Sequence, residues 1–242
     1  MAKYLTFLIL IALLSGGCAT SPDIVADDRD PWQGFNRNVY SFNDALDRTY
    51  LVPAAELYRG VTPEFAEKGV HNFFANLGDL GVAFNNTLQF KFLDAASDVG
   101  RIIVNSTIGL LGFMDVASRM GLEKHDEDFG QTLGYWGMGT GPYVMLPFFG
   151  PSNLRDGPGK VVDSFIYPPN WADIKTSERN GLFALNLVNT RAELMVTEEK
   201  AKELSRDRYV FIRDAYLDNR EFKVNDGQLS ADEGLYDELE DE

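Results

Sequence analysis

With 242 residues, the chain is long enough for one ordinary domain or two small ones and for a sizeable buried core. Hydrophobic residues make up 45% and charged residues 24%, which excludes wholesale disorder, and a mean hydropathy of −0.19 argues against a multi-span helical membrane protein. A formal charge of −15 repels phosphate backbones and argues against nucleic acid. A single cysteine, Cys18, rules out a disulfide scaffold and cysteine-ligated zinc or iron–sulfur sites. Two histidines, His71 and His125, leave little material for metal ligation or general-base catalysis. No cofactor is implied.

Residues 1–17 carry Lys3, an apolar run from Leu5 to Leu14 and then small residues before Cys18. The run is too short to cross a bilayer, and its basic and small-residue flanks are those of an export signal. The segment resembles a bacterial lipoprotein signal, which implies that Cys18 becomes the acylated first residue of the mature protein; plain secretion with a free thiol is the alternative. Ala19 is not the Asp that marks inner-membrane retention in such signals, so outer-membrane sorting is implied. Residues 18–34, polar and acidic with two prolines, read as a tether to a folded body over residues 35–224.

Phe35, Val39, Phe42, Leu46 and Tyr50 recur at spacings of four, three, four and four, the stripe of a helix that Pro53 should end. Thr62, Pro63 and Glu64 read as a second helix start, with a capping hydroxyl, a first-turn proline and an acid at the positive dipole end. Phe65, Phe73 and Leu77 share a stripe of that helix, broadened by Phe74. Asp94 is placed to cap a third helix through Ile102 and Ile103, and Asp115 a short one toward Met120. The uncharged run from Ile102 to Met114 is too short for a span and suits either a membrane interface or a core. From Lys175 to Arg220 a charged amphipathic pattern reads as water-facing helix. No strand-like alternation persists, so the expected class is all-α. The last segment, residues 225–242, carries eight acids and no base and reads as a solvated, disordered tail.

From Phe129 to Leu154 there is no ionisable group other than tyrosine. Six glycines and three prolines interrupt this stretch and should break both helix and strand. Unpaired backbone groups cost several kcal/mol each in hydrocarbon, so such backbone fits bilayer depth only where protein covers it or where it lines a wet cavity. A buried loop in a water-soluble core is the alternative. Tyr135, Trp136, Tyr143, Phe148 and Phe149 lie within it, and Tyr and Trp favour the boundary between headgroups and acyl chains. These five are the candidates for lining or gating such a cavity, with Gly137, Gly139, Gly141 and Pro142 as its hinge.

Reaction chemistry is not specified. No serine sits in G-x-S-x-G, and Gly137 to Pro142 fails the dinucleotide pattern because proline replaces the third glycine. His125-Asp126-Glu127-Asp128 reads as a polar turn ahead of a cation site.

Asp30-Pro31, Gly34 to Arg37 with Tyr40, Asn105 to Gly109, Gly112 to Ala117 and above all Phe129 to Asp156 together resemble the MlaA (VacJ) family of outer-membrane phospholipid-transport lipoproteins. Weaker matches recur at Arg191 to Leu194 and Arg213 to Tyr216. The resemblance implies a ring of amphipathic helices in one membrane leaflet around a central channel, facing the periplasm. It also implies trimeric porins and a soluble periplasmic lipid carrier as partners, and removal of phospholipid strayed into the outer leaflet. No enzymatic activity is implied. A non-transporting envelope lipoprotein that braces porins is the alternative function. Within the matched segment, Arg155 and Asp156 are placed either to meet a headgroup or to form a structural ion pair.

Overall fold

The structure, a computed structural model, describes residues 27–201 and 207–228. The signal segment, Cys18 and most of the acidic tail lie outside them. Ten helices and one hairpin follow in order among the described residues: α1 (Gln33–Leu46), a π-helical turn (Asp47–Leu51), α2 (Val52–Val61), α3 (Glu64–Leu88), α4 (Phe92–Thr107), α5 (Val116–Arg119) and α6 (Phe129–Tyr135). Strands β1 (Tyr143–Leu146) and β2 (Gly150–Asn153) come next, then α7 (Asp156–Ile166), α8 (Pro168–Trp171), α9 (Thr176–Ala201) and α10 (Arg208–Val224).

Pro53 does not end the helical path. The π-turn carries α1 into α2, and Pro53 sits in the first turn of α2, where a missing N–H costs nothing. Thr62 closes α2 instead of capping α3, whose cap position is Pro63. Asp94 lies in the first turn of α4, one of the places where its charge meets the helix dipole, but Lys91 holds the cap position. Asp115 and Asp128 do cap: their carboxylates accept from Ser118 N and Gln131 N.

The expected tether is docked where it is described. Arg29 pairs with Asp214, Arg213 with Asp27, and the Tyr209 hydroxyl donates to the buried Asp30, tying residues 27–30 to α10. At the other end Asp226 pairs with Lys91.

Element contacts close a circuit. α1 packs on β1, β2 on α7, α7 on α3, α3 on α9, and α9 on α2, which leads back to α1 through the π-turn; α4 is the largest helix partner of α3. Among the described residues a small apolar cluster, Val39, Tyr143, Met145, Tyr209 and Leu217, is buried together.

The helices are turned polar side in. On α4 the buried residues are Ala95, Asp98, Arg101 and Asn105, at helical spacing, while Leu93, Val99, Ile103 and Ile108 are exposed. On α3, Asn76, Asp79, Asn85 and Asn86 are buried and Phe65, Leu80 and Phe84 exposed. Many of the buried polar groups partner one another, although Asn76 Oδ1, Asp79 Oδ2 and Arg101 Nε have no hydrogen-bond partner among the described residues. Arg101 donates to Ser118 Oγ (3.0 Å), Leu122 O (2.6 Å) and Asp115 (3.2 Å); Asn86 donates to Asp98 (2.8 Å), and Lys124 pairs with Asp79. Water-soluble helices of this length bury the apolar stripe, because that stripe supplies the burial free energy. Here the apolar stripe faces outward, which is the arrangement an apolar solvent favours. No helix among the described residues is long and apolar enough to cross a membrane.

Candidate functional site: a cavity between the long helices

A cavity of about 500 Å³ opens between α3, α7, α8 and α9, with Phe149 of the hairpin turn also in its lining. Its apolar wall includes Phe74 and Val82 of α3, Leu182 and Phe183 of α9, Tyr167 and Phe149. Gly78 and Gly81, three apart on one face of α3, keep it open, since a Cβ at either would meet nothing within 4 Å. The lining also carries polar groups: Glu127, Asp128, Asp163, Asn170, Arg179 and Asn186. An amphipathic pocket of this size suits a ligand with an apolar body and a polar end.

The hairpin is built from the interrupted segment. β1 and β2 pair antiparallel with Tyr143 opposite Asn153 and Met145 opposite Pro151, so the expectation that this stretch breaks strands is corrected over eight residues. Proline is tolerated because a two-stranded sheet has only edge strands. The turn forms at Pro147 to Phe149, with Phe148 at φ 67° and Gly150 at φ 75°. Asn43 clamps it, donating to Leu146 O (3.0 Å) and accepting from Phe148 N (2.9 Å), while Phe42 meets Phe148 edge-on at 5.4 Å. The base is held by α1, where the Asn36 amide accepts from Met145 N (2.8 Å) and donates to Tyr143 O (3.2 Å).

Of the five candidate path residues, Phe149 alone is among those lining the cavity, and it is 72% exposed. Phe148 lies beside it on the turn at 74% exposure. Tyr135 and Trp136 sit at the end of α6, half-exposed; Trp136 donates its indole N–H to Leu88 O and meets Phe129 edge-on, and Lys91 lies 5.8 Å from the Tyr135 ring centre. Tyr143 is placed differently from the other four. It is fully buried against Tyr209 and Tyr216, and burial pushes its hydroxyl pKa far above the usual value, so it supports the hairpin from the core. Gly137 and Gly141 adopt φ of 89° and 67°, conformations that suit glycine, whereas Gly139 has ordinary φ. Pro142 O accepts from Leu154 N, so the segment before β1 is stitched to the residues after β2.

Arg155 and Asp156 form a buried ion pair at 2.8 Å, and Asp156 also accepts from Asn153 (2.6 Å) and Tyr216 (2.9 Å) and pairs with Arg220 (2.8 Å). Burial opposes ionisation of Asp156, but Arg155 and Arg220 outweigh it and lower its pKa. Asp156 and its neighbours therefore lock the hairpin onto α10. Residues 125–128 each go to a different partner: His125 to Asp98, Asp126 to Lys223, Glu127 to Lys91 and Asp128 to Arg220. Among the described residues, no group of His, Cys, Asp and Glu is arranged to hold a metal.

This geometry can be set beside known proteins. A family model described as "MlaA lipoprotein" matches residues 28–223. The chain belongs to the MlaA lipoprotein family. Among MlaA relatives, the "Intermembrane phospholipid transport system lipoprotein MlaA" of Escherichia coli (strain K12) is 35% identical over 100% of this chain and 98% of its own length. The Haemophilus influenzae protein of the same description is 32% identical over 96% of both chains. A solved structure described as "Structural basis for maintenance of bacterial outer membrane lipid asymmetry" aligns with a TM-score of 0.69 at 32% identity, covering 81% of this chain and 98% of the other. The mostly helical architecture is thus an MlaA family fold.

Several residues of this MlaA family member that matter to the cavity escaped sequence reading. Gly78 and Gly81 were visible as a small-residue pair at helical spacing. Arg179 was hidden in a region that reads as water-facing, and Asp163 carries no motif at all.

Proposed function

We propose that the chain is a lipid-anchored outer-membrane protein that takes mislocalised phospholipid from the outer leaflet through an amphipathic passage and releases it toward a periplasmic carrier, maintaining lipid asymmetry. The observation that carries this reading is the pairing of an apolar exterior with the amphipathic cavity between α3 and α9. Helices with apolar faces outward belong in the hydrocarbon of one leaflet, and no helix among the described residues is a span. Acylation at Cys18 would hold the body against the leaflet facing the periplasm. The phospholipid transport ascribed to the relatives and the lipid asymmetry studied in the structural neighbour support this choice of cargo and purpose.

The physics sets the requirement. A phospholipid has roughly 30 acyl methylenes, and at about 0.8 kcal/mol each, exposing both tails to water costs about 24 kcal/mol. A passage must shelter tails while admitting a polar head. Phe149 serves as the gate on the cavity side, with Phe148, Tyr135 and Trp136 at the bilayer boundary. Gly137, Gly139, Gly141 and Pro142 form the hinge. Gly141→Pro is a poor hinge test, because φ 67° is closed to proline. Gly139→Ala reads the hinge without that strain, since its Cβ meets nothing within 4 Å. A trimeric porin and a soluble carrier are the protein partners this reading expects.

Gentle purification followed by mass spectrometry of bound lipid tests the function. Stoichiometric phospholipid is expected. A protein that only braces porins would carry none, and a lipid hydrolase would release lysophospholipid.

A further inference from the structure

The carboxylates on the cavity wall differ in one respect. Glu127 is neutralised by Lys91 at 3.0 Å, and Asp128 by Arg220 at 2.5 Å while it caps α6. Among the described residues Asp163 accepts from neutral donors, the Phe129 N–H at 3.1 Å and the Asn85 amide at 3.1 Å, and no cation of those residues lies within ion-pair distance of it. Burial raises the Asp163 pKa above the ordinary carboxylate value, the hydrogen bonds from Phe129 and Asn85 oppose it, and Asp128 and Arg220 act from farther away with opposite signs. Arg179, across the lining on α9, shows the converse. Its Nε donates to Pro169 O (2.8 Å) and one Nη to Ala172 O (3.2 Å), and no carboxylate pairs with it among the described residues. The two are not paired with each other.

One negative and one positive group thus face a single cavity whose remaining wall is largely apolar. Unpaired charges beside apolar surface are costly, and a ligand that brings both complementary charges relieves both at once. A guanidinium with a free edge is a natural phosphate partner, and an unneutralised carboxylate attracts an ammonium and repels a second anion. Resting on the transport reading above, we propose that this cavity selects phospholipids with a zwitterionic head, the phosphate on Arg179 and the ammonium on Asp163. Anionic heads lose the second contact and meet the Asp163 charge. Phe149 and the α3–α9 wall receive the first part of the tails.

The test uses the full-length chain equilibrated with mixed vesicles of equal parts phosphatidylethanolamine and phosphatidylglycerol, repurified in mild detergent, and assayed for bound lipid by mass spectrometry. The native chain is expected to enrich phosphatidylethanolamine about fivefold, the scale of one ion pair at a partly exposed site. Asp163→Asn, which keeps an acceptor for Phe129, is expected to bring the ratio close to one, and Asp163→Glu to retain enrichment. Equal binding of the two lipids by the native chain overturns the selection and leaves transport standing, and needs no variant. Enrichment that persists in a folded Asp163→Asn chain also overturns it. Absence of any bound phospholipid overturns the transport reading itself.

Discussion

Ile103→Lys separates a membrane-facing helix from a water-soluble one. Ile103 lies on the outward stripe of α4 with Leu93, Val99 and Ile108, and is 58% exposed. Fully burying such a side chain is worth about 1.5–3 kcal/mol, so its exposed part contributes roughly 1–2 kcal/mol to insertion into lipid. A lysine in its place costs up to about 2.5–3.5 kcal/mol at bilayer depth, reduced where the ammonium reaches the headgroups. A net loss of about 3 kcal/mol lowers partitioning about a hundredfold. The assay is flotation with liposomes, using chains that also carry Cys18→Ser so that acylation does not mask the effect, with circular dichroism to confirm the fold. Unchanged flotation together with lost helicity would refute the reasoning, because it would place Ile103 in a core.

Arg101→Met, which strips the cation from the buried cluster with Asp79 and Asp115, should destabilise the fold by about 3–5 kcal/mol in denaturant titration in detergent micelles; a change below about 1 kcal/mol would show that the inward polar face is dispensable. Gly78→Phe should leave the helix content intact while abolishing lipid co-purification, because the new side chain enters open space at the cavity wall; retained lipid would place the path elsewhere. For Asp115, burial opposes ionisation, but hydrogen bonds from Ser118 and Asn105 and the Arg101 charge outweigh it and hold the pKa at about 2. Because the folded value lies below the unfolded 3.8, its stabilisation is complete above about pH 4 and is lost as pH falls through about 2. Acid titration followed by circular dichroism should show this loss in the native chain and a flatter profile in Asp115→Asn; identical profiles would contradict the assignment.

The helical class was legible because long stripes at helical spacing survive whichever way a helix faces. Facing was not. The period of Phe35, Val39 and Phe42 is the same whether the stripe meets a core or lipid, and only the burial of Asn36, Asp98, Arg101 and Asn105 decides it. Asp115 was readable as a cap because capping is local, whereas Thr62 failed because a continuing helix had already taken it as its end. The hairpin was missed because its four-residue strands are too short for alternation to register, and their stability comes from distant partners, Asn36 and Asn43. For the same reason Tyr143 looked like its aromatic neighbours. Its burial depends on α10, more than sixty residues away in sequence. Asp163 and Arg179 stand out from the other charges because, among the described residues, neither has an ion-pair partner, which no local sequence pattern encodes.

The central claim is that this molecule clears phospholipid from the outer leaflet. Its most direct test is to delete the protein from its native cell and quantify phospholipid accessible at the cell surface with a membrane-impermeant label. An increase on deletion, reversed by the native chain and not by Gly78→Phe, is the predicted result; surface phospholipid unchanged by deletion would contradict the account.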